Sequence, residues 1–140
     1  MNTRAGIQVF GIPSDHQFTS QDDLIAILLD SLRPANTLHN GDIIVITSKV
    51  VAKCEGRVVT EVQDRESAIR SETKRVVATK VHDRGVTTIV ETHTGLILAA
   101  AGVDASNTEP GTIVLLPVDS DHSARRLRSL IHLSEPTRPY

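Results

Sequence analysis

Aromatic residues are nearly missing from this 140-residue sequence: Phe10, Phe18 and Tyr140 are the three present, and there is no Trp. Any core must therefore be aliphatic, and there is no stacking platform of the kind that holds single-stranded nucleic acid. Cys54 is the single cysteine. It excludes an internal disulfide framework and cannot by itself build a thiolate zinc site, which favours a reducing cytoplasm. Charge of one sign is also lacking, since 15 Lys and Arg face 17 Asp and Glu for a net charge of −2. A polyanion such as nucleic acid, or an anionic membrane surface, has nothing general to be attracted to. No run approaches the roughly 20 apolar residues that a membrane helix needs. The apolar stretch after Met1–Gly6 is too short for a signal peptide. The expectation is a soluble, cytoplasmic chain with neither nucleic acid nor a membrane as partner.

What is present is globular composition, 39% hydrophobic and 23% charged, at a length that suits one domain. Gly6–Pro13 (GIQVFGIP) alternates and carries β-branched residues before the turn formers Pro13, Ser14 and Asp15, so it reads as a first strand. Ser20 and Asp23 imitate a capping box ahead of Leu24, Ile25, Leu28, Leu29 and Leu32, which recur at helical spacing until Pro34. Asn40-Gly41-Asp42 then turns into Ile43-Ile44-Val45-Ile46, a run suited to a strand covered on both faces. Strand, helix, strand in that order points to an α/β fold, with α+β as the variant. Further on, Glu66–Lys80 has no Gly or Pro and reads as a solvated helix, and Thr87–Glu91 as a short strand. Pro110-Gly111 marks a turn, Thr112–Pro117 a strand, and Ser120 to about Arg128 a last helix capped by Asp119 or Asp121.

Familiar nucleotide loops are absent: there is no G-x-x-x-x-G-K-[ST] and no G-x-G-x-x-G. Ser48 and Lys53 follow a strand end, where a hydroxyl and an ammonium can meet phosphate oxygens, although Lys49 and Lys53 read equally as solvated surface lysines. Asp104 and Asn107 can place a carboxylate on a hard cation and an amide on a ligand; an Asx turn leading to Pro110-Gly111 competes with that reading. The six histidines include no His-Glu-x-x-His and no pair four apart, which leaves a zinc hydrolase without support. Cys54 lacks a nameable base and reads as an ordinary thiol, and the arginines of Ala124–Arg128 as a solvated helix face.

Several segments together resemble the coenzyme F-420-0:L-glutamate ligase family. They are GIPS at Gly11–Ser14, GDIIVITSKVVAKCEGR at Gly41–Arg57, ETKRVVA at Glu72–Ala78, AAAGVDASN at Ala99–Asn107, and PGTIVLLPVDSDHSARRLR at Pro110–Arg128. The resemblance implies an acid–amino-acid ligase of the peptide synthase type, which hydrolyses GTP and needs a divalent cation, Mg2+ or Mn2+. Its substrates would be coenzyme F-420-0 and L-glutamate, joined through γ-linked amide bonds by way of an acyl phosphate, and the full-length enzyme would be an intertwined homodimer. Carried over by position, Ile12, Pro13, Ser14, Asp15, Ser48, Lys53 and Asn107 match GTP-contacting residues and Asp104 a metal ligand. No catalytic residue is assigned by the resemblance.

Family members continue into a second half with further metal and GTP ligands, so the expectation is an N-terminal part of the ligase fold, a mixed sheet with flanking helices. Residues 1–128 would form that part, incomplete and inactive alone. Residues 129–140 (SLIHLSEPTRPY) depart from the family pattern and read as a non-native tail that packs poorly. The alternative is a non-catalytic nucleotide-binding or dimerisation module that keeps the family scaffold.

Overall fold

A computed structural model describes residues 6–32, 38–39, 41–60, 65–83, 85–106 and 108–134. Helices and strands are mixed along the chain: α1 (Leu24–Leu32), α2 (Ser48–Cys54), β1 (Val58–Val59), α3 (Arg65–Glu72), β2 (Thr73–His82), β3 (Gly85–Thr92), β4 (Ile97–Ala99), β5 (Ile113–Val114) and α4 (Ser120–Ser134). The described strands form an antiparallel pair β1-β5 and an antiparallel sheet in the order β2-β3-β4. The α/β composition therefore holds, in its α+β variant.

The first helix begins three residues later than a capping box with Ser20 as the cap suggests. Asp23 is the cap, its Oδ1 accepting from the backbone N–H of Ile25 at 3.0 Å and of Ala26 at 3.2 Å. Leu24 and Leu32 are buried, and the helix packs against α4. The second helix occupies residues that the sequence reading placed only after a strand end. Thr47 caps it, its hydroxyl oxygen accepting from Lys49 N–H. At the other end Gly56, at φ +70°, donates to the Lys53 carbonyl while Arg57 N–H donates to Ala52 C=O. These are the two bonds of a Schellman ending, which needs a residue in the left-handed region.

Beyond Glu72 the expected helix over Glu66–Lys80 gives way to β2. Thr73, Val76, Val77, Thr79 and Val81 favour extended backbone, and the hairpin with β3 sets Lys74 Nζ and Arg75 Nε at 2.7 and 2.6 Å from the two oxygens of Glu91. Pairing with a neighbouring strand outweighs the helical look of the charge pattern. The reading of Thr87–Glu91 as a strand is met within β3. Thr112–Pro117 shortens to the two residues of β5, preceded by a turn in which Thr112 N–H donates to Glu109 C=O and Gly111 stands at φ +77°. Proline followed by glycine at a positive φ is type II turn chemistry.

Two expected strands are corrected. Residues 6–13 and 42–46 carry no regular secondary structure, and neither belongs to a ladder among the described residues. Ile7, Val9, Ile43 and Val45 are 93, 88, 87 and 89% exposed, far from the two-sided cover that Ile43–Ile46 suggested. Apolar runs become strands only when a partner takes up their amides, and among the described residues no backbone hydrogen bond joins 7–13 or 43–46 to another segment.

The core is small and aliphatic: Val90, Ala101, Val103, Ile113 and Leu115, with Ala68 and Ile69 of α3 packed against it. Arg57 straps its two sides together. Its Nε donates to Leu116 C=O at 3.0 Å and its Nη2 to Glu72 at 2.7 Å. Between β4 and Val103 the backbone turns left-handed for three residues, with Ala100, Ala101 and Gly102 at φ 50, 51 and 70°. A Cβ on Gly102 would come within 2.7 Å of Leu116 Cδ1 and 2.9 Å of Leu98 Cδ1, so glycine is required by space as well as by φ.

The last helix runs through Ser134, past the expected end at Arg128 and into the supposed tail, and Ile131 is buried. Asp119 Oδ1 caps it by accepting from His122 N–H. The helix thus continues through residues 129–134 with Ile131 buried, while residues 135–140 of the expected tail lie outside those described. Among the described residues no helix is long and apolar enough to cross a membrane.

Candidate nucleotide-binding site

Helix α2 presents two lysines one turn apart, and they serve different neighbours. Lys49, in the first turn, places Nζ 2.8 Å from Asp104 Oδ2, 3.0 Å from Ser106 C=O and 3.2 Å from Ser106 Oγ. The other oxygen of Asp104 accepts from Ser106 N–H at 2.7 Å, closing an Asx turn. The Lys49 ammonium, helped by the Ser106 hydroxyl and amide, holds the Asp104 carboxyl well below the usual carboxylate range. Asp104 is also clamped by its backbone, which exchanges two hydrogen bonds with Val114.

Lys53, in the last turn, lines a cleft of about 470 Å³ together with Gln17, Phe18, Ser20, Thr108 and Glu109, floored by Val58 and Val114. That volume lies within the range of small-molecule sites. Ser14 and Asp15 line a separate, wider hollow of about 630 Å³ against Ala26, Ile27 and Asp30 of α1. Loop 14–20 runs between the two hollows, contributing Ser14–His16 to one and Gln17–Ser20 to the other.

That loop is internally braced. His16 Nε2 lies 2.8 Å from Asp22 Oδ1, and the His16 ring stands edge-on to Phe18 at 5.0 Å. Asp22 Oδ2 accepts from both the backbone N–H of Thr19, at 2.6 Å, and its hydroxyl, at 2.9 Å. The two Thr19 bonds, with His16 adding to them, pull the Asp22 carboxyl below its ordinary value.

The positions expected from sequence are thus distributed over neighbouring places. Ser14 and Asp15 face the wide hollow, Lys53 the cleft, Ser48 the start of α2, and Asp104 the Lys49 pair. Ile12 is half-buried and Pro13 exposed just before the loop. Asn107 lies outside the described residues, between Ser106, which holds Lys49, and Thr108, which lines the cleft. Sequence reasoning took Lys49 only as a solvated surface lysine and overlooked Ser106 and Thr108. The signal was available: with Thr47 as cap and Gly56 as terminator, Lys49 and Lys53 stand four apart on one helix face. Cys54, expected as an ordinary buried thiol, is half-buried, and burial, with Asp22 and Glu55 nearby, pushes its pKa up. Arg125, Arg126 and Arg128 form an exposed face of α4.

A divalent cation does not fit the described residues by themselves. They contain no group of three or more His, Cys, Asp or Glu that could hold one. Asp104, the carboxylate expected to ligate it, already has both oxygens engaged, one of them by a cation.

The family model for F420-0:gamma-glutamyl ligase matches residues 16–135. This chain belongs to that family. It is 29% identical over 136 residues to the coenzyme F420:L-glutamate ligase of Methanopyrus kandleri, covering 87% of this chain and 52% of that protein. It is 30% identical over 138 residues to the ligase of the same name from Archaeoglobus fulgidus, covering 89% and 54%. The chain spans about half the length of the curated relatives it matches.

Proposed function

We propose that this chain is the nucleotide-contacting part of a GTP-dependent ligase that joins L-glutamate to coenzyme F-420-0 through a γ-linked amide. The observation that carries this reading is the family match across residues 16–135, which includes α2, the Asp104 turn and most of loop 14–20. A carboxylate does not condense with an amine at neutral pH. The carboxylate oxygen of the coenzyme therefore attacks the γ-phosphorus of GTP, the bond to the bridging oxygen breaks, and GDP leaves. The glutamate amine then attacks the acyl phosphate carbon, expels inorganic phosphate and releases a proton. In this reading Lys53, which lines the cleft, neutralises phosphate oxygens, and Ser14 and Asp15 of the neighbouring hollow, with Ser48 at the start of α2, fix the nucleotide's position.

Magnesium or manganese would supply further charge neutralisation in the whole enzyme, with Asp104 as one ligand. Lys49 occupies that carboxylate here, so no step of the chain's own chemistry is routed through the ion. In this reading the protein works in the cytoplasm as a homodimer, and the 140-residue chain alone is an incomplete ligase. Mixing the chain with GTP, Mn2+, glutamate and coenzyme F-420-0 is expected to yield no glutamylated coenzyme. Measurable GTP binding, weakened about tenfold or more by Lys53→Ala, supports the site; equal binding by the variant removes Lys53 from it.

A second reading keeps the family scaffold without the reaction. In that reading the chain is a non-catalytic nucleotide-binding or dimerisation module. GTP binding without product in the presence of every substrate, even when the relatives' remaining length is supplied, separates the module from the enzyme.

A further inference from the structure

The cleft beside Lys53 carries both signs of charge. Lys53 enters it half-buried from the last turn of α2, and Glu109 lines it from the turn before β5. No ion pair joins the two, and among the described residues neither side chain has a hydrogen-bonding partner. Glu109 is held in place through its backbone. Thr112 N–H donates to Glu109 C=O at 2.9 Å, and the Thr108 hydroxyl lies 2.8 Å from Thr112 C=O and 3.0 Å from Ala105 C=O. A turn braced on both sides in this way fixes the point from which the carboxylate reaches into the cleft.

A carboxylate is out of place in a cleft meant for phosphate alone. It repels phosphate oxygens unless the ligands bring a cation with them. A divalent metal is a poor match, because the described residues hold no group of three or more His, Cys, Asp or Glu that could bind one. A primary ammonium asks for less: one carboxylate and neighbouring hydroxyl oxygens satisfy its three donors. Ser20, Thr108 and Thr112 line the same cleft, and its floor of Val58 and Val114 suits a short run of methylenes.

We propose that Glu109 binds the ammonium group of the amino-acid substrate. The inference rests on the ligase reading above and deepens it, since it gives the amino acid a place in the cleft that Lys53 shares. The amine and the phosphoryl oxygens are then held by two groups of opposite charge within one cleft, which brings the nucleophile to the acyl phosphate.

The test titrates the 140-residue chain with L-glutamate and with glutarate, which is glutamate without its ammonium, and follows the Thr108, Glu109 and Thr112 amide resonances by NMR. Glutamate is expected to move these resonances and to bind at least about fivefold more tightly than glutarate. Glu109→Gln, a change at an exposed position that leaves the fold intact, should remove that preference: glutamate weakens about fivefold or more and glutarate does not weaken. Equal affinity of the parent chain for the two ligands overturns the proposal. So does an unchanged glutamate affinity in the variant, or a set of resonances that stays still at saturating glutamate. GTP titrated in parallel keeps the two readings apart. A chain that takes up GTP and no glutamate overturns the ammonium site alone, whereas one that takes up glutamate with this preference and no GTP supports the ammonium site and removes the nucleotide.

Discussion

Val90 and Val45 sit in stretches of similar composition, and their surroundings are opposite. Val90, in the middle strand of β2-β3-β4, is 1% exposed, whereas Val45 is 89% exposed. Around Val90, neighbours on both edges take up the amides, and Ala101, Val103, Ile113 and Leu115 cover the side chain. Around Val45, one face of the segment rests on the chain and the other meets water. Being apolar and β-branched makes a residue suitable for a strand, but burial comes from what lies beside it.

The contrast can be broken most severely at the covered end. Ile113→Ala removes a side chain from the core cluster and is expected to cost about 3 kcal/mol in urea unfolding. Gly102→Ala is expected to cost nearly as much, about 2 to 3 kcal/mol: a Cβ there is strained by its φ and meets Leu116 and Leu98. A Gly102→Ala protein unfolding at the same urea concentration as the parent would show that the left-handed turn is not tightly packed. An intermediate loss, about 1 kcal/mol, is expected for Asp23→Ala, which leaves Ile25 and Ala26 amides uncapped; circular dichroism against temperature measures it. At the exposed end, Val45→Thr should change unfolding by less than about 0.5 kcal/mol. A loss of several times that size would mean that Val45 is covered in solution.

Loop 14–20 offers a local, pH-dependent version of the same comparison. The Asp22 carboxyl titrates below its ordinary value because the folded loop donates to its ionised form. Its contribution is therefore complete above the ordinary aspartate pKa, about 3.9, and is lost as pH falls through the lower folded value. The Thr19 amide resonance should follow that titration by NMR, and Asp22→Asn should abolish the response. A Thr19 amide that titrates at or above the ordinary value would show that the loop is not braced by Asp22.

Much of the site was legible locally. Asp104 had two sequence readings, and the Asx turn is the one the geometry adopts, because Ser106 N–H lies within reach two residues on. The Lys49 pair was not legible: 55 residues of chain separate it from Asp104, and the closure between them is made by β5 lying beside both. Lys53 was singled out through family resemblance, and its facing a cleft with Thr108 and Glu109 is likewise a long-range result. The helix expected over Glu66–Lys80 shows the converse. Local charge spacing spoke for a helix throughout, and the hairpin partner converted its second half into a strand.

By itself the sequence determined what is encoded within a few residues: the Pro110-Gly111 turn, the helical run to Leu32, an aliphatic core, and membership of a ligase family through ordered motifs. Only the tertiary structure decided which apolar runs are buried, which lysine holds Asp104, and that Ala100–Gly102 turns left-handed under Leu116. The physical reason is range. Caps and turns satisfy amides with neighbours a few bonds away, whereas burial, ladders and ion pairs across the fold depend on segments that sequence distance does not bring together.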